Sequence, residues 1–215
     1  MFSSSCATYG VPERLPITEA TAQNPVSPYG FTKLVVERML RDAEAAYGIR
    51  HVALRYFNAA GADPDGDLGE LHVPETHLIP LVLFAAMGRE SSVKIFGTDY
   101  PTPDGTCIRD YVHVSDLASA HVAALDWLAK GRPSQSINLG NGRGFSVAEV
   151  VQTTEKVTGR PVRTQMCPRR AGDPPVLVSD SGKACELLGW TPNHPDLEQQ
   201  IAHAWTWFRD KMPNV

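Results

Sequence analysis

No run of about 18 consecutive apolar residues occurs in this chain of 215 residues, so the sequence offers no membrane-spanning helix. The opening Met1-Phe2-Ser3-Ser4-Ser5 has neither a basic region nor an apolar stretch of signal-peptide length. Cysteine is sparse. Cys6, Cys107, Cys167 and Cys185 stand far apart with no C-x-x-C pairing, a pattern that indicates reduced thiols and a cytoplasmic protein. No H-x-x-x-H joins any of the seven histidines, so no metal site is expected. A net charge of −4 excludes a broad basic field for nucleic acid, so an anionic ligand would have to be met by individual arginines. Neither G-x-G-x-x-G nor G-x-x-G-x-x-G occurs, and there is no internal repeat.

What remains is an ordinary globular composition, 42% hydrophobic and 20% charged. Ser27-Pro28 reads as a helix start, with serine as N-cap and proline in the first turn, and the helix is expected to run from Pro28 to Tyr47 and stop at Gly48. The nearly continuous apolar run from His51 to Phe57 reads as a strand buried on both faces, as in a parallel sheet. A polar loop follows, then an apolar helix from Leu78 to Met87, strands near Val93–Gly97 and Cys107–Val114, and a helix opened by Ser115-Asp116. Ser136–Leu139 reads as another strand, Ser146–Glu149 as a capping box, and two shorter helices are expected at 181–188 and 196–211. Strands alternating with helices indicate an α/β fold. Only three strands suit the parallel sheet: a stub at Phe2-Ser3, residues 51–57 and residues 136–140.

Tyr29 and Lys33 are four residues apart on one helix, so their side chains share a face. A nearby ammonium favours the phenolate form and makes the phenol usable as a base near neutral pH. Ser5, at the mouth of the first strand, could hold a substrate oxygen while its proton leaves. Arg109, in a strand-like run, and Arg170, in a loop bounded by Pro and Gly, suit a diphosphate, because guanidinium pairs bidentately with phosphate. Gly140-Asn141-Gly142-Arg143-Gly144 follows a strand and precedes a capped helix, yet it lacks the spacing of either phosphate-binding glycine motif and is read as a turn. Trp205, Trp207 and Phe208 read as packing on the last helix.

Phe2-Ser3-Ser4-Ser5-Cys6-Ala7-Thr8-Tyr9-Gly10 followed by Ser27-Pro28-Tyr29-Gly30-Phe31-Thr32-Lys33 resembles the extended short-chain dehydrogenase/reductase superfamily. Arg55-Tyr56-Phe57-Asn58, Gly97-Thr98-Asp99-Tyr100, Asp104-Gly105-Thr106, Arg109 to Val114 and Pro168 to Asp173 narrow the resemblance to the UDP-glucose 4-epimerases. It covers nearly the whole chain. The fold it implies is the carboxy-terminal part of an NAD-binding, Rossmann-type doubly wound α/β fold, residues 1–57, joined to a smaller α/β substrate-binding region, residues 58–215, with segments near 107–140 returning to the Rossmann-type sheet.

The resemblance also implies roles. Ser5, Tyr29 and Lys33 would be catalytic, with Tyr29 as acid and base on the sugar 4-oxygen. The same three residues and Phe57 would contact the cofactor, NAD. Asn58, His77, Leu78, Lys94, Ile95, Phe96, Arg109, Arg170, Asp173 and Leu177 would line the UDP-sugar pocket, with Leu177 at a sugar-facing position that is tyrosine in some members. The reaction implied is interconversion of UDP-glucose and UDP-galactose through a transient 4-keto sugar, by a protein expected to be a homodimer in its full-length form, with no nucleic-acid or membrane partner. The resemblance places the dinucleotide loop before the Ser-Ser-Ser strand, so roughly one hundred or more residues would precede Met1, and the chain alone is expected to be inactive and poorly folded. Another UDP-sugar 4-epimerase, acting on UDP-xylose or UDP-arabinose, and a non-catalytic UDP-sugar-binding fragment are the alternatives. A dehydratase fits less well, because those members carry an Asp-Glu pair where this chain has Ser27-Pro28.

Overall fold

The computed structural model of the chain describes residues 1–211. Strand β1 (Phe2–Ser5) ends in a single tight turn, and helix α1 (Pro28–Tyr47) begins where the Ser27 hydroxyl accepts the Gly30 N–H at 3.1 Å. It stops at Gly48, whose φ of 70° is the left-handed turn that glycine makes without strain. Next come β2 (Val52–Tyr56), β3 (Asn58–Ala60), α2 (Leu78–Met87), β4 (Val93–Phe96) and β5 (Ile108–His113). The rest of the chain carries α3 (Val114–Ala129), β6 (Gln135–Leu139), β7 (Gly144–Ser146), α4 (Val147–Thr158), β8 (Thr164–Cys167), β9 (Val176–Leu177), α5 (Gly182–Leu188) and α6 (Leu197–Asp210).

Most expected boundaries hold, and the capping box at Ser146–Glu149 is formed in both directions. The start of α3 differs from the expectation. The helix opens at Val114, with His113 as its cap, because the imidazole Nδ1 accepts the Ser115 N–H at 3.1 Å and takes the place of a serine or aspartate cap.

Three parallel strands, in the order β1-β2-β6, make the first sheet. Val52, Ala53 and Leu54 are fully buried, as strands covered on both faces must be. Helices α3 and α5 pack here through Leu117, Ala120, Ala124 and Ala184. Strand β6 thus returns to the sheet of β1 and β2, whereas β5 lies in a second sheet, paired with β3, β7 and β9. A second core gathers α2, α4 and α6 around Val82, Leu83, Val150, Ile201 and Phe208. Strands β4 and β8 form a separate parallel ribbon. None of the described helices is long and apolar enough to cross a membrane.

Helix α1 is covered on one side only. It buries Gly30 and Glu37, while Tyr29, Phe31, Val35 and Met39 stay exposed. Gly30 is what lets α1 approach the first strand. A Cβ there would lie 2.3 Å from the Ala7 carbonyl oxygen, far inside contact distance.

Candidate active site

That close approach sets Tyr29 beside the carboxyl end of β1. Tyr29 is 54% exposed and lines a cavity of about 1490 Å³. Lys33 lies one helical turn on, with Nζ 5.4 Å from the centroid of the Tyr29 ring, and donates to the Ser3 carbonyl at 2.9 Å. That bond anchors the ammonium and leaves it two further N–H donors. Ser5 is buried at the cavity wall. Its Oγ accepts the Ala7 N–H at 3.2 Å, which leaves the hydroxyl proton to donate. Phe57, at the end of β2, completes this end of the cavity.

The opposite chemistry comes from the second sheet and the ribbon. Arg109, on β5, forms an ion pair with Asp173, and Asp173 in turn donates its backbone N–H to the Arg170 carbonyl at 3.3 Å. The Arg170 guanidinium lies 3.9 Å above the Phe96 ring centroid, a cation–π stack that holds a flexible side chain flat. Leu177 on β9 stands in register with Arg109 and faces the same cavity. Asn58 donates its side-chain N–H to the Asp110 carbonyl at 2.9 Å, which fixes the direction of its own amide oxygen. His77 caps α2 without a side-chain hydrogen bond to the helix, and Leu78 is the first residue of that helix.

Of the residues expected to matter, Ser5, Tyr29, Phe57, Asn58, His77, Leu78, Lys94, Phe96, Arg109, Arg170, Asp173 and Leu177 all line this one cavity. Lys33 stands behind Tyr29. Ile95 is not in that lining: it packs in a small core with Tyr100, Cys107 and Val147, while its neighbours Lys94 and Phe96 line the cavity. Glu70 and Glu75 also line the cavity, and no sequence pattern marks them, because they sit in an aperiodic loop. Cys6 is in the wall too. Burial pushes its thiol up to about 12, with Arg109 and Ser5 pulling weakly the other way, so it remains protonated and is no nucleophile at neutral pH.

The glycine-rich turn holds an anion, but one the protein supplies itself. The Asp110 carboxylate accepts the N–H groups of Asn141 at 2.8 Å, Gly142 at 3.1 Å and Ser179 at 3.1 Å. Burial pushes this carboxyl up to about 6 against the pull of those donors. Within the turn, the Asn141 and Gly142 N–H groups are thus spent on Asp110 and the Gly140 N–H on the Ser181 hydroxyl.

A parallel sheet with a Tyr-x-x-x-Lys helix packed on it, opening onto a cavity that the tyrosine and two arginines line, defines a Rossmann-type α/β protein with a tyrosine–lysine centre. The chain belongs to the NAD dependent epimerase/dehydratase family, whose model matches residues 1–140. It is 53% identical over 210 residues to the UDP-glucose 4-epimerase of Halalkalibacterium halodurans, an alignment that covers 98% of this chain and 63% of that relative. The crystal structure of UDP-glucose 4-epimerase from Brucella ovis in complex with NAD superposes with a TM-score of 0.93 at 57% identity, covering 96% of this chain and 64% of the other. The UDP-glucose 4-epimerase from Bifidobacterium longum, solved with NAD⁺ and UDP, gives a TM-score of 0.92 at 42% identity over 99% of this chain and 64% of the other. The chain therefore spans about 63% of the length of the curated relatives it matches.

Proposed function

We propose that the protein carrying this chain is a UDP-glucose 4-epimerase, which interconverts UDP-glucose and UDP-galactose with NAD as its cofactor. The observation that carries this reading is the single cavity that has Ser5 and Tyr29 in its wall, Lys33 behind the tyrosine, and Arg109 and Arg170 lining it as well. The relatives' activity and the UDP in the Bifidobacterium structure support it.

The residues present fit the nicotinamide end of the cofactor. Lys33 keeps two N–H donors for ribose hydroxyls beside Tyr29, and Phe57 lines the cavity just past the carboxyl end of β2, the kind of strand end where dinucleotides bind. NAD, when bound, supplies the reversible two-electron oxidation of the sugar carbon. This chain moves the proton. Tyr29 takes it from the 4-hydroxyl and returns it to the same oxygen, while the Ser5 hydroxyl holds that oxygen in place. Arg109 and Arg170 hold the diphosphate, and the apolar Leu177 makes no strong bond to the sugar. A firm grip on the nucleotide with a loose grip on the sugar lets the ring turn over between the two half-reactions.

The same reading takes the protein to be cytoplasmic and homodimeric, in keeping with reduced, unpaired cysteines and with the apolar residues Phe31, Val35 and Met39 exposed on α1. The test joins this chain behind the amino-terminal part of the Halalkalibacterium relative, supplies UDP-galactose and NAD, and follows UDP-glucose. Turnover of UDP-xylose with no turnover of either hexose would replace this reading with a pentose epimerase. Calorimetric binding of UDP-sugar without any turnover would replace it with a binding protein.

Leu177 sets a second expected outcome. Leucine occupies less of the cavity than tyrosine, and pocket volume acts against bulky substituents more strongly than against small ones. The enzyme is expected to accept N-acetylated UDP-hexosamines, and Leu177→Tyr to lower their rate relative to the hexoses. An unchanged ratio of the two rates in that variant would show that Leu177 is not the gate.

A further inference from the structure

The loop that precedes α2 brings two histidines and two glutamates together in a stretch of eight residues, Glu70-x-His72-x-x-Glu75-x-His77. One ligand atom from each lies within 4.8 Å of those of the other three. His77 Nδ1 is 2.8 Å from Glu75 Oε1 and 3.0 Å from Glu70 Oε1, and His72 Nδ1 is 3.8 Å from Glu75 Oε1. A single ring N–H cannot be directed at two carboxylates at once, and the two carboxylates repel each other across it. A cation among them would resolve both conflicts.

The loop is held in this form from outside. Trp207 on α6 donates its indole N–H to the Glu70 carbonyl at 2.9 Å. Gly69 lies flush on that ring, where a Cβ would come within 2.2 Å of it. The Glu75 side chain is only 6% exposed, and its Oε1 accepts the N–H groups of Thr76 at 2.7 Å and His77 at 2.8 Å, which fix the direction of the carboxylate. The two imidazole rings stand 5.1 Å apart at 54° to each other. A tetrahedral ion with bonds of about 2.0–2.1 Å needs its ligand atoms roughly 3.4 Å apart, a spacing that the three contacts at 2.8, 3.0 and 3.8 Å bracket.

We infer that Glu70, His72, Glu75 and His77 form a binding site for one divalent transition ion of the zinc type. The donor set chooses the class. Two imidazoles and two carboxylates suit Zn²⁺ and its neighbours, whereas Mg²⁺ and Ca²⁺ prefer oxygen alone. Two carboxylate charges would balance the ion. The expectation from the sequence was that no metal site exists, and it rested on the H-x-x-x-H spacing of a helix; here the ligands sit in a loop, where no helical period applies. The site adjoins the cavity, since Glu70, Glu75 and His77 all line it. A bound ion would pin the loop in front of α2 and so hold His77 and Leu78 in place. The inference rests on the geometry of this loop and stands independently of the substrate assigned to the cavity.

The test is equilibrium dialysis against Zn²⁺, with Mg²⁺ present in excess. It is run on the 215-residue chain and on the same chain joined behind the amino-terminal part of the Halalkalibacterium relative. The surface thiols that could bind zinc are first replaced, as Cys167→Ser and Cys185→Ser. One zinc per chain is expected, with a dissociation constant in the micromolar range or tighter. His72→Ala and Glu75→Gln should each weaken it by about tenfold or more. Both variants should keep the metal-free thermal transition of the parent, which separates loss of a ligand from loss of fold. Co²⁺ in place of Zn²⁺ should give the visible absorption of a tetrahedral site. Failure to bind zinc in the micromolar range, binding that survives both loop variants, or binding that disappears with the two cysteines would overturn the inference.

Discussion

If the proposed epimerase reading holds, replacing Tyr29 with phenylalanine in the full-length protein is expected to lower kcat by about 10²–10⁴-fold, the span by which a positioned acid or base accelerates proton transfer. The affinity for UDP-sugar, measured by calorimetry, should change little, since Arg109 and Arg170 are the residues proposed to hold the nucleotide. The expectation follows from how closely the phenol is placed. Ser27 caps α1, Gly30 lets the helix meet the turn after β1, and Lys33 is anchored to the Ser3 carbonyl at 2.9 Å. Each contact fixes the tyrosine relative to Ser5. The ring of Tyr29→Phe keeps the same space and loses only the oxygen proposed to move the proton. A variant that retained more than about a tenth of kcat would show that another group, or water, carries the proton, and Tyr29 would be a positioning residue instead.

The parts of this site that could be read in advance are those that follow a local rule. The Ser-Pro start of α1 and the i, i+4 spacing of Tyr29 and Lys33 are properties of a few adjacent residues, and the structure forms them as expected. The apolar run from Val52 to Leu54 announced a buried strand for the same reason. Features that depend on distant pairing were hidden. Strands β7 and β9 are each too short to show a period, and both exist only because β5 offers them edges. That pairing is what sets Leu177 opposite Arg109. His113 could not be recognised as a helix cap, because an imidazole does that only once β5 has fixed its direction. Ile95 packs into the small core with Tyr100 and Cys107 although both its neighbours line the cavity, a difference that no local pattern announces. Arg55 is a lone charge in an otherwise apolar buried strand. Such a charge requires a partner, and only the folded chain shows that it is Glu37.

Glu37→Ala is expected to cost about 3–5 kcal/mol of stability, or roughly 6–20 °C in Tm, because it leaves a guanidinium buried without its anion. Arg55 is 4% exposed and Glu37 1%. Arg55 Nε donates to Glu37 Oε1 at 2.9 Å, its Nη2 to Oε2 at 2.6 Å, and its Nη1 to the Tyr9 hydroxyl at 2.8 Å, which donates onward to Asn138 Oδ1 at 2.6 Å. Ser4 and Gln23 donate to the same carboxylate at 2.6 Å and 3.1 Å. Ser4, Arg55 and Asn138 stand in register across β1, β2 and β6, so the network ties the whole parallel sheet to α1, the helix that carries Tyr29. Burial alone would raise the Glu37 carboxyl; the Arg55 hydrogen bonds and charge, with Ser4 and Gln23, outweigh it and hold the group below its ordinary value of 4.5. A depressed carboxyl contributes stability that is fully present above that ordinary value and is lost as the pH falls through the lower, folded one. Urea denaturation should therefore show the parent losing stability below about pH 4.5, with the gap to Glu37→Ala narrowing over the same range. Removing both charges in Glu37→Leu/Arg55→Met should restore most of the loss, since the cost lies in the unpaired guanidinium more than in the missing attraction. A double variant as unstable as Glu37→Ala would show that the pair itself, and not the avoidance of an orphaned charge, holds α1 to the sheet.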